Sequence, residues 1–150
     1  MLGELSAAQI EQLLANQVVG RVGCHLDGRT YVVPVTYAYR DGVIWGHTSE
    51  GLKVQMMRKN PRVCFEVDQM DDMANWRSVI VQGRFEELKG EDARHAMGVL
   101  MERLMPLITS ASSTPTHGLD AGSHRADTAG KTAVAYRIVV DEKTGRFEKR

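Results

Sequence analysis

The chain has few cysteines, no excess of either charge and no long apolar run, and each lack removes a class of function. Cys24 and Cys64 are the only cysteines in 150 residues. They lie far apart, with no C-x-x-C spacing and no histidine at metal-ligand distance, so neither a disulfide scaffold nor a zinc site is expected. Two reduced, buried thiols are the expectation. With 19 basic and 19 acidic side chains the formal charge is zero, so no overall field draws the protein to nucleic acid or to an anionic membrane. No stretch approaches the roughly 18 apolar residues of a membrane span. Met1 to Ala8 lacks a basic cluster followed by an apolar run, so a soluble, cytoplasmic protein is expected. Gly-x-Gly-x-x-Gly, Gly-x-Ser-x-Gly, H-E-x-x-H and Walker sequences are all missing, which leaves hydrolase and nucleotide-triphosphatase readings without an anchor.

What is present reads as one domain. Ser6 and Gln9 have capping-box spacing and precede Ile10, Leu13 and Leu14 on one helical face, which predicts a short amphipathic helix over Ser6 to Asn16. Strands follow at Val18 to Leu26, Thr30 to Tyr39 and Val43 to His47. They are joined by Asp27-Gly28 and Arg40-Asp41-Gly42, turns in which Asp-Gly supplies the positive φ a tight hairpin needs. A helix from Ser49 to Asn60 stops before Pro61. Arg62 to Val67 and Ser78 to Phe85 read as strands around a polar loop, Asp68 to Asn75. Glu91 to Met105 carries Ala93, Ala96, Met97, Leu100, Met101 and Leu104 at helical spacing. Residues 109–130, rich in Ser, Thr, Gly and Asp, read as a long loop. A strand from Thr132 to Val140, a turn at Lys143-Thr144-Gly145 and a short strand from Arg146 to Lys149 then close the chain. About seven strands and three helices, joined mostly by hairpins, predict a mainly β fold: a closed antiparallel barrel with flanking helices.

The segment from Gly46 to Lys53 leaves a strand and enters a helix. A helix start offers unpaired N–H groups and the positive end of the helix dipole, which together suit a phosphate. Ser49 could donate to a phosphate oxygen, and Lys53 could supply the opposing charge. On spacing alone, Ser49 reads first as an ordinary N-cap and Lys53 as an ordinary surface lysine. His47, at a strand end, reads as a surface or hydrogen-bonded histidine, and near a redox ring a histidine is a usable proton donor. Tyr37, Tyr39, Trp45 and Trp76 are the aromatics available to the core, an interface or a planar ring. His25, His95, His117 and His124 share no metal-ligand spacing, so no metal is assigned.

The ordered set Tyr31 to Tyr37, Gly42 to Ser49, Gly51-Leu52-Lys53, Asn60 to Val67 and Trp76 to Arg84 resembles the pyridoxamine 5′-phosphate oxidase-like split-barrel flavoproteins. Within them it is similar to the nitroimidazole-resistance proteins. The resemblance covers residues 17–88, with a weaker echo in the expected hairpin around Lys143 to Arg146, in the closing segment 132–149. It implies a split β-barrel of the FMN-binding type and a homodimer with two FMN molecules at the subunit interface. By position it implies that Val35, Thr36 and Tyr37 border the flavin ring, largely through backbone groups. It places His47, Thr48, Ser49 and Lys53 at the ribityl chain and phosphate, and Trp76 and Ser78 on a strand that closes over the flavin. His47 is the implied catalytic residue, as a proton donor. Pro34 and Gly51-Leu52-Lys53 stand where the oxidases carry basic residues, so fewer phosphate contacts are expected and pyridoxamine phosphate is not the expected substrate. The expected activity is that of an FMN-dependent oxidoreductase that reduces a small nitroaromatic or related electrophile. The alternative is a non-catalytic protein that binds or senses flavin, deazaflavin or haem.

Overall fold

The computed structural model describes residues 1–108 and 132–150. The expected loop over 109–130, with His117 and His124, lies outside the described residues. Strand β1 (Leu2–Glu4) precedes helix α1 (Ala7–Asn16), and β2 (Val19–Leu26), β3 (Arg29–Arg40) and β4 (Val43–Ser49) form a meander. Then come α2 (Leu52–Lys59), β5 (Arg62–Asp72), β6 (Asn75–Leu88), α3 (Gly90–Leu104), a 3₁₀ turn (Met105–Leu107) and β7 (Ala133–Glu148).

Local chemistry sets the joints. The Ser6 hydroxyl accepts from the Gln9 N–H at 3.2 Å while the Gln9 side chain accepts from the Ser6 N–H at 2.8 Å, so the capping box forms as expected. Asp27-Gly28 and Asp41-Gly42 all have positive φ, 52°, 79°, 56° and 72° in chain order, the geometry of tight hairpins.

All strand pairings are antiparallel, in the order β1-β7-β4-β3-β2-β5-β6, and a further β6–β7 pairing closes six of the strands into a ring. The ring encloses Val22, Tyr37, Ile44, Phe65, Val79, Val81, Tyr136 and Ile138. Helix α1 covers the end where β2 begins: the Tyr37 hydroxyl donates to the Leu14 carbonyl at 2.7 Å. Helix α2 covers the end where β2 finishes, with Met56 against Cys24 and the Asn60 amide donating to the His25 carbonyl. Helix α3 packs outside, where Val99, Leu100 and Leu104 meet Trp45 and the small Ala38 and Ala135.

Three expectations are corrected. Asp68 to Asn75 is not a loop: β5 and β6 stay paired to Asp72 and Asn75, and the Asp72 carboxylate accepts from the Ala74 N–H and the Asn75 amide to make the turn. An arm solvated on both faces needs no apolar alternation, which is why its sequence reads as irregular. Lys143 to Gly145 is not a turn either, because β7 runs unbroken from Ala133 to Glu148 against β6, and the only irregularity places Asp141 opposite the Gln82/Gly83 step. Gly145 serves packing there: a Cβ would stand 2.8 Å from Leu5 Cδ1 and 2.9 Å from Ile10 Cγ1. Finally, α2 begins three residues after Ser49, so Ser49 ends β4 and Gly51 is the N-cap. Cys24 is buried and Cys64 half-buried, both as free thiols, and burial pushes each thiol pKa up.

Candidate functional site

Strands β3 and β4 are paired only from Tyr37↔Gly46 to Arg40↔Val43. Beyond Tyr37, the first half of β3 pairs with β2 alone, while His47, Thr48 and Ser49 pair only with β7. The barrel is therefore split along this seam. The Tyr37 N–H donates to the Val18 carbonyl on the β2 side, so by the alternation of an antiparallel ladder Thr36 and Pro34 turn their backbone groups toward the opening. Proline is tolerated in β3 because Pro34 has no ladder partner to satisfy there.

The side chains of Val35 and Tyr37 are buried inside the barrel, Tyr37 completely. This strand can offer the seam only its backbone and the half-buried Thr36. Along β4, Ile44 belongs to the barrel core and Trp45 to the cluster under α3, so alternation sends Gly46 and Thr48 inward and His47 and Ser49 outward. Thr48 is 2% exposed and its hydroxyl has no partner among the described residues. Two positions away, a Cβ on Gly46 would stand 2.2 Å from the Tyr136 ring. Thr48 thus faces the core, and only its backbone is placed for a ligand outside. His47 is 7% exposed and shares the outward face with Trp45, whose ring meets His95 edge-on at 5.1 Å.

Among the described residues no side chain caps the start of α2 and its first turn holds no acid, so its first-turn N–H groups suit an anion. Ser49, released from capping, stands at the end of β4 beside it. Lys53, the second residue of α2, lies within electrostatic reach of the Cys24 thiol and partly offsets the effect of burial on it. On the other flank, the Glu50 carboxylate is paired with Arg58, which also donates to Glu87 at 2.5 Å. That guanidinium holds the Glu87 carboxyl below its ordinary range. This network escapes a reading of spacing, because Glu50 and Arg58 meet only once the start of α2 is known.

Trp76 and Ser78 lie elsewhere. Trp76 is paired with Glu148 of β7, and its indole donates to the Glu148 carboxylate at 3.2 Å. Ser78 is paired with Asp68 and Arg146. His47 is paired with Ala135, thirteen positions from Glu148 on β7. One chain therefore brings His47, Ser49 and the Val35 to Tyr37 backbone to the open seam, with Lys53 on the α2 side of it, and places Trp76 and Ser78 on β6, away from that seam.

A cleft of about 670 Å³ crosses the outer face of β2, β3, β5 and β6, lined by Arg21, His25, Val32, Cys64, Glu66 and Gln82 among others. Arg21 faces Glu66 at 3.5 Å and Asp68 at 3.3 Å. Burial, and then the neighbouring Asp68, push the Glu66 carboxyl up to about 7. Among the described residues no group of three or more His, Cys, Asp or Glu side chains is placed to hold a metal, and no helix is long and apolar enough to cross a membrane.

Comparison with known proteins places this architecture. An FAD-binding protein from Mesorhizobium loti is 29% identical over 99% of each chain, with a TM-score of 0.77. A candidate 5-nitroimidazole antibiotic resistance protein from Bacteroides thetaiotaomicron shares the fold, with a TM-score of 0.70 at 21% identity over 98% of this chain and 87% of its own. An uncharacterised protein of Rhizobium meliloti is 30% identical over 91 residues, which span 61% of this chain and 60% of that relative. The profile of the family described as pyridoxamine 5′-phosphate oxidase matches residues 6–147, from the cap of α1 to the end of β7, and the chain belongs to that family.

Proposed function

We propose that the protein binds a flavin, FMN, with its phosphate at the start of α2 and its ring along the open β3/β4 seam, and uses it to reduce a small nitroaromatic or related electrophile. The observation that carries this reading is the juxtaposition of an uncapped, acid-free helix start with a strand that ends before pairing is complete. The residues fit the group. First-turn N–H groups and the Ser49 hydroxyl can donate to phosphate oxygens, Lys53 supplies one positive charge, and Gly51 adds no side chain at the approach. Thr36 and Pro34 present backbone to the ring. When bound, the flavin supplies the electron transfer, and the protein supplies orientation and a proton held on the His47 imidazole.

The Mesorhizobium loti protein named above binds FAD; a helix start that holds the phosphate of FMN suits the equivalent phosphate of FAD as well. Trp76 and Ser78 serve this site from a second copy of the chain, since in their own chain they lie on β6, which does not border the seam. A homodimer with the flavin between subunits follows.

Purified protein should be yellow, and the compound released by heat should have the mass of FMN. A colourless protein that takes up no flavin on titration overturns the reading, and a haem or deazaflavin spectrum replaces it with the sensing alternative. Rapid bleaching by NAD(P)H and reoxidation by a nitroaromatic supports turnover, whereas inert flavin supports a binder. Lys53→Ala should weaken FMN binding by about 1–3 kcal/mol, the range for a charge-assisted contact. Unchanged affinity would remove Lys53 from the phosphate site.

A further inference from the structure

Glu50 is the acid nearest the start of α2, one residue before the Gly51 N-cap. A carboxylate at that place is ordinarily drawn to the exposed first-turn N–H groups, and it would then compete with any anionic ligand. Here it is turned away. Its Oε1 accepts from Arg58, in the last turn of the same helix, and Arg58 is itself anchored by Glu87 at the end of β6, with Lys89 on the far side of Glu87 at 3.2 Å. Helical side chains lean toward the N-terminus, so a guanidinium from the last turn reaches back along the flank. The Glu50 backbone is pinned as well, its N–H donating to the Thr132 carbonyl at 2.8 Å. The second carboxylate oxygen is buried without a partner among the described residues, so the anion is committed to the flank. Lys53 acts on the opposite side, toward Cys24.

We infer that Arg58 is a positioning residue for the anion site: it holds Glu50 on the β6 flank of α2 and thereby keeps the first-turn N–H groups open to a phosphate. The inference rests on the flavin-phosphate reading. It makes Arg58 important for binding although it touches no ligand, and it makes the effect of losing Arg58 depend on the presence of Glu50.

The test is a double-mutant cycle in which FMN and riboflavin are titrated into apoprotein of the parent chain, Arg58→Gln, Glu50→Gln and the double variant. Arg58→Gln should weaken FMN binding about three- to tenfold, the effect of one charge at a helix end. Riboflavin, which has no phosphate, should bind as before. The double variant should recover FMN affinity to within about twofold of the parent. A double variant as weak as Arg58→Gln, or an Arg58→Gln protein that binds FMN normally, overturns the inference. So does a Glu50→Gln protein that loses affinity for both flavins, which would make Glu50 a ligand for the ribityl chain. Melting temperatures identify any variant that fails to fold, and Arg58→Met, which removes the charge and keeps the apolar stem, then takes its place in the cycle. If the parent binds neither flavin, the flavin reading has failed by itself. Stabilisation by inorganic phosphate then decides: parent and double variant above Arg58→Gln supports the inference, and no stabilisation in any of the three overturns it.

Discussion

Two tyrosines inside the barrel separate burial from hydrogen bonding at the scale of single residues. Tyr37 and Tyr136 are both fully enclosed, and burial raises the pKa of both phenols. Tyr37 donates to the Leu14 carbonyl and ties α1 to the barrel, whereas the Tyr136 hydroxyl has no partner among the described residues. Tyr37→Phe should therefore lower the unfolding free energy by about 1 kcal/mol, while Tyr136→Phe should be neutral or stabilising, as read from urea unfolding curves. Glu66 gives a prediction in pH. Its folded pKa of about 7 stands above the ordinary 4.5, so the folded state binds more protons than the unfolded chain between these values. Stability from this group is full below about pH 4.5 and declines as pH rises through 7. Glu66→Gln should flatten that slope and stabilise the protein at pH 8 relative to the parent. An unchanged slope would mean that the Arg21 ion pair outweighs burial. The Ser6/Gln9 cap is legible at this scale because four consecutive residues suffice to define it. That Ser49 ends β4 instead of capping α2 is not legible, because the end of β4 depends on its pairing with Ala133 of β7, more than eighty positions later in the chain.

At the scale of elements, the contact of α1 with β7 rests on Gly145. The Leu5 N–H donates to the Gly145 carbonyl at 2.9 Å, Lys143 is ion-paired with Glu11, and Leu5 and Ile10 lie where a Cβ would be. Gly145→Val should push α1 away and cost about 1–3 kcal/mol by overpacking, with earlier proteolysis near the N-terminus as the readout. Wild-type stability in this variant would show that α1 shifts without loss. The expected strand count of about seven agrees with the described fold for a reason that is partly accidental: β1 was not expected, and two expected closing strands are one. A three-residue strand has no period to read, and Lys-Thr-Gly has turn composition whether or not the chain turns. The Asp-Gly hairpins and α3 were legible because positive φ and helical periodicity are local properties.

For the whole molecule, the distance between Lys53 and Trp76 turns the proposed dimer into a test of complementation. Lys53→Ala and Trp76→Ala should each weaken flavin binding as homodimers. A mixed dimer of the two variants should regain one tight site per dimer if Trp76 serves the partner's flavin, and none if both residues serve a site within one chain. Flavin stoichiometry by titration separates the two results. The sequence by itself determined the class of the molecule, a neutral, cysteine-poor, mainly β chain, together with its Asp-Gly hairpin turns and its first helix cap, which are set by interactions among residues a few positions apart. Only the tertiary structure decided where β3 and β4 part, that Val35, Tyr37 and Thr48 face inward, that Arg58 takes Glu50 away from the helix start, and that Trp76 and Ser78 lie off the seam that His47 borders. These follow from closing β6 on β7, and that pairing joins residues up to seventy-two positions apart, beyond the reach of any local pattern.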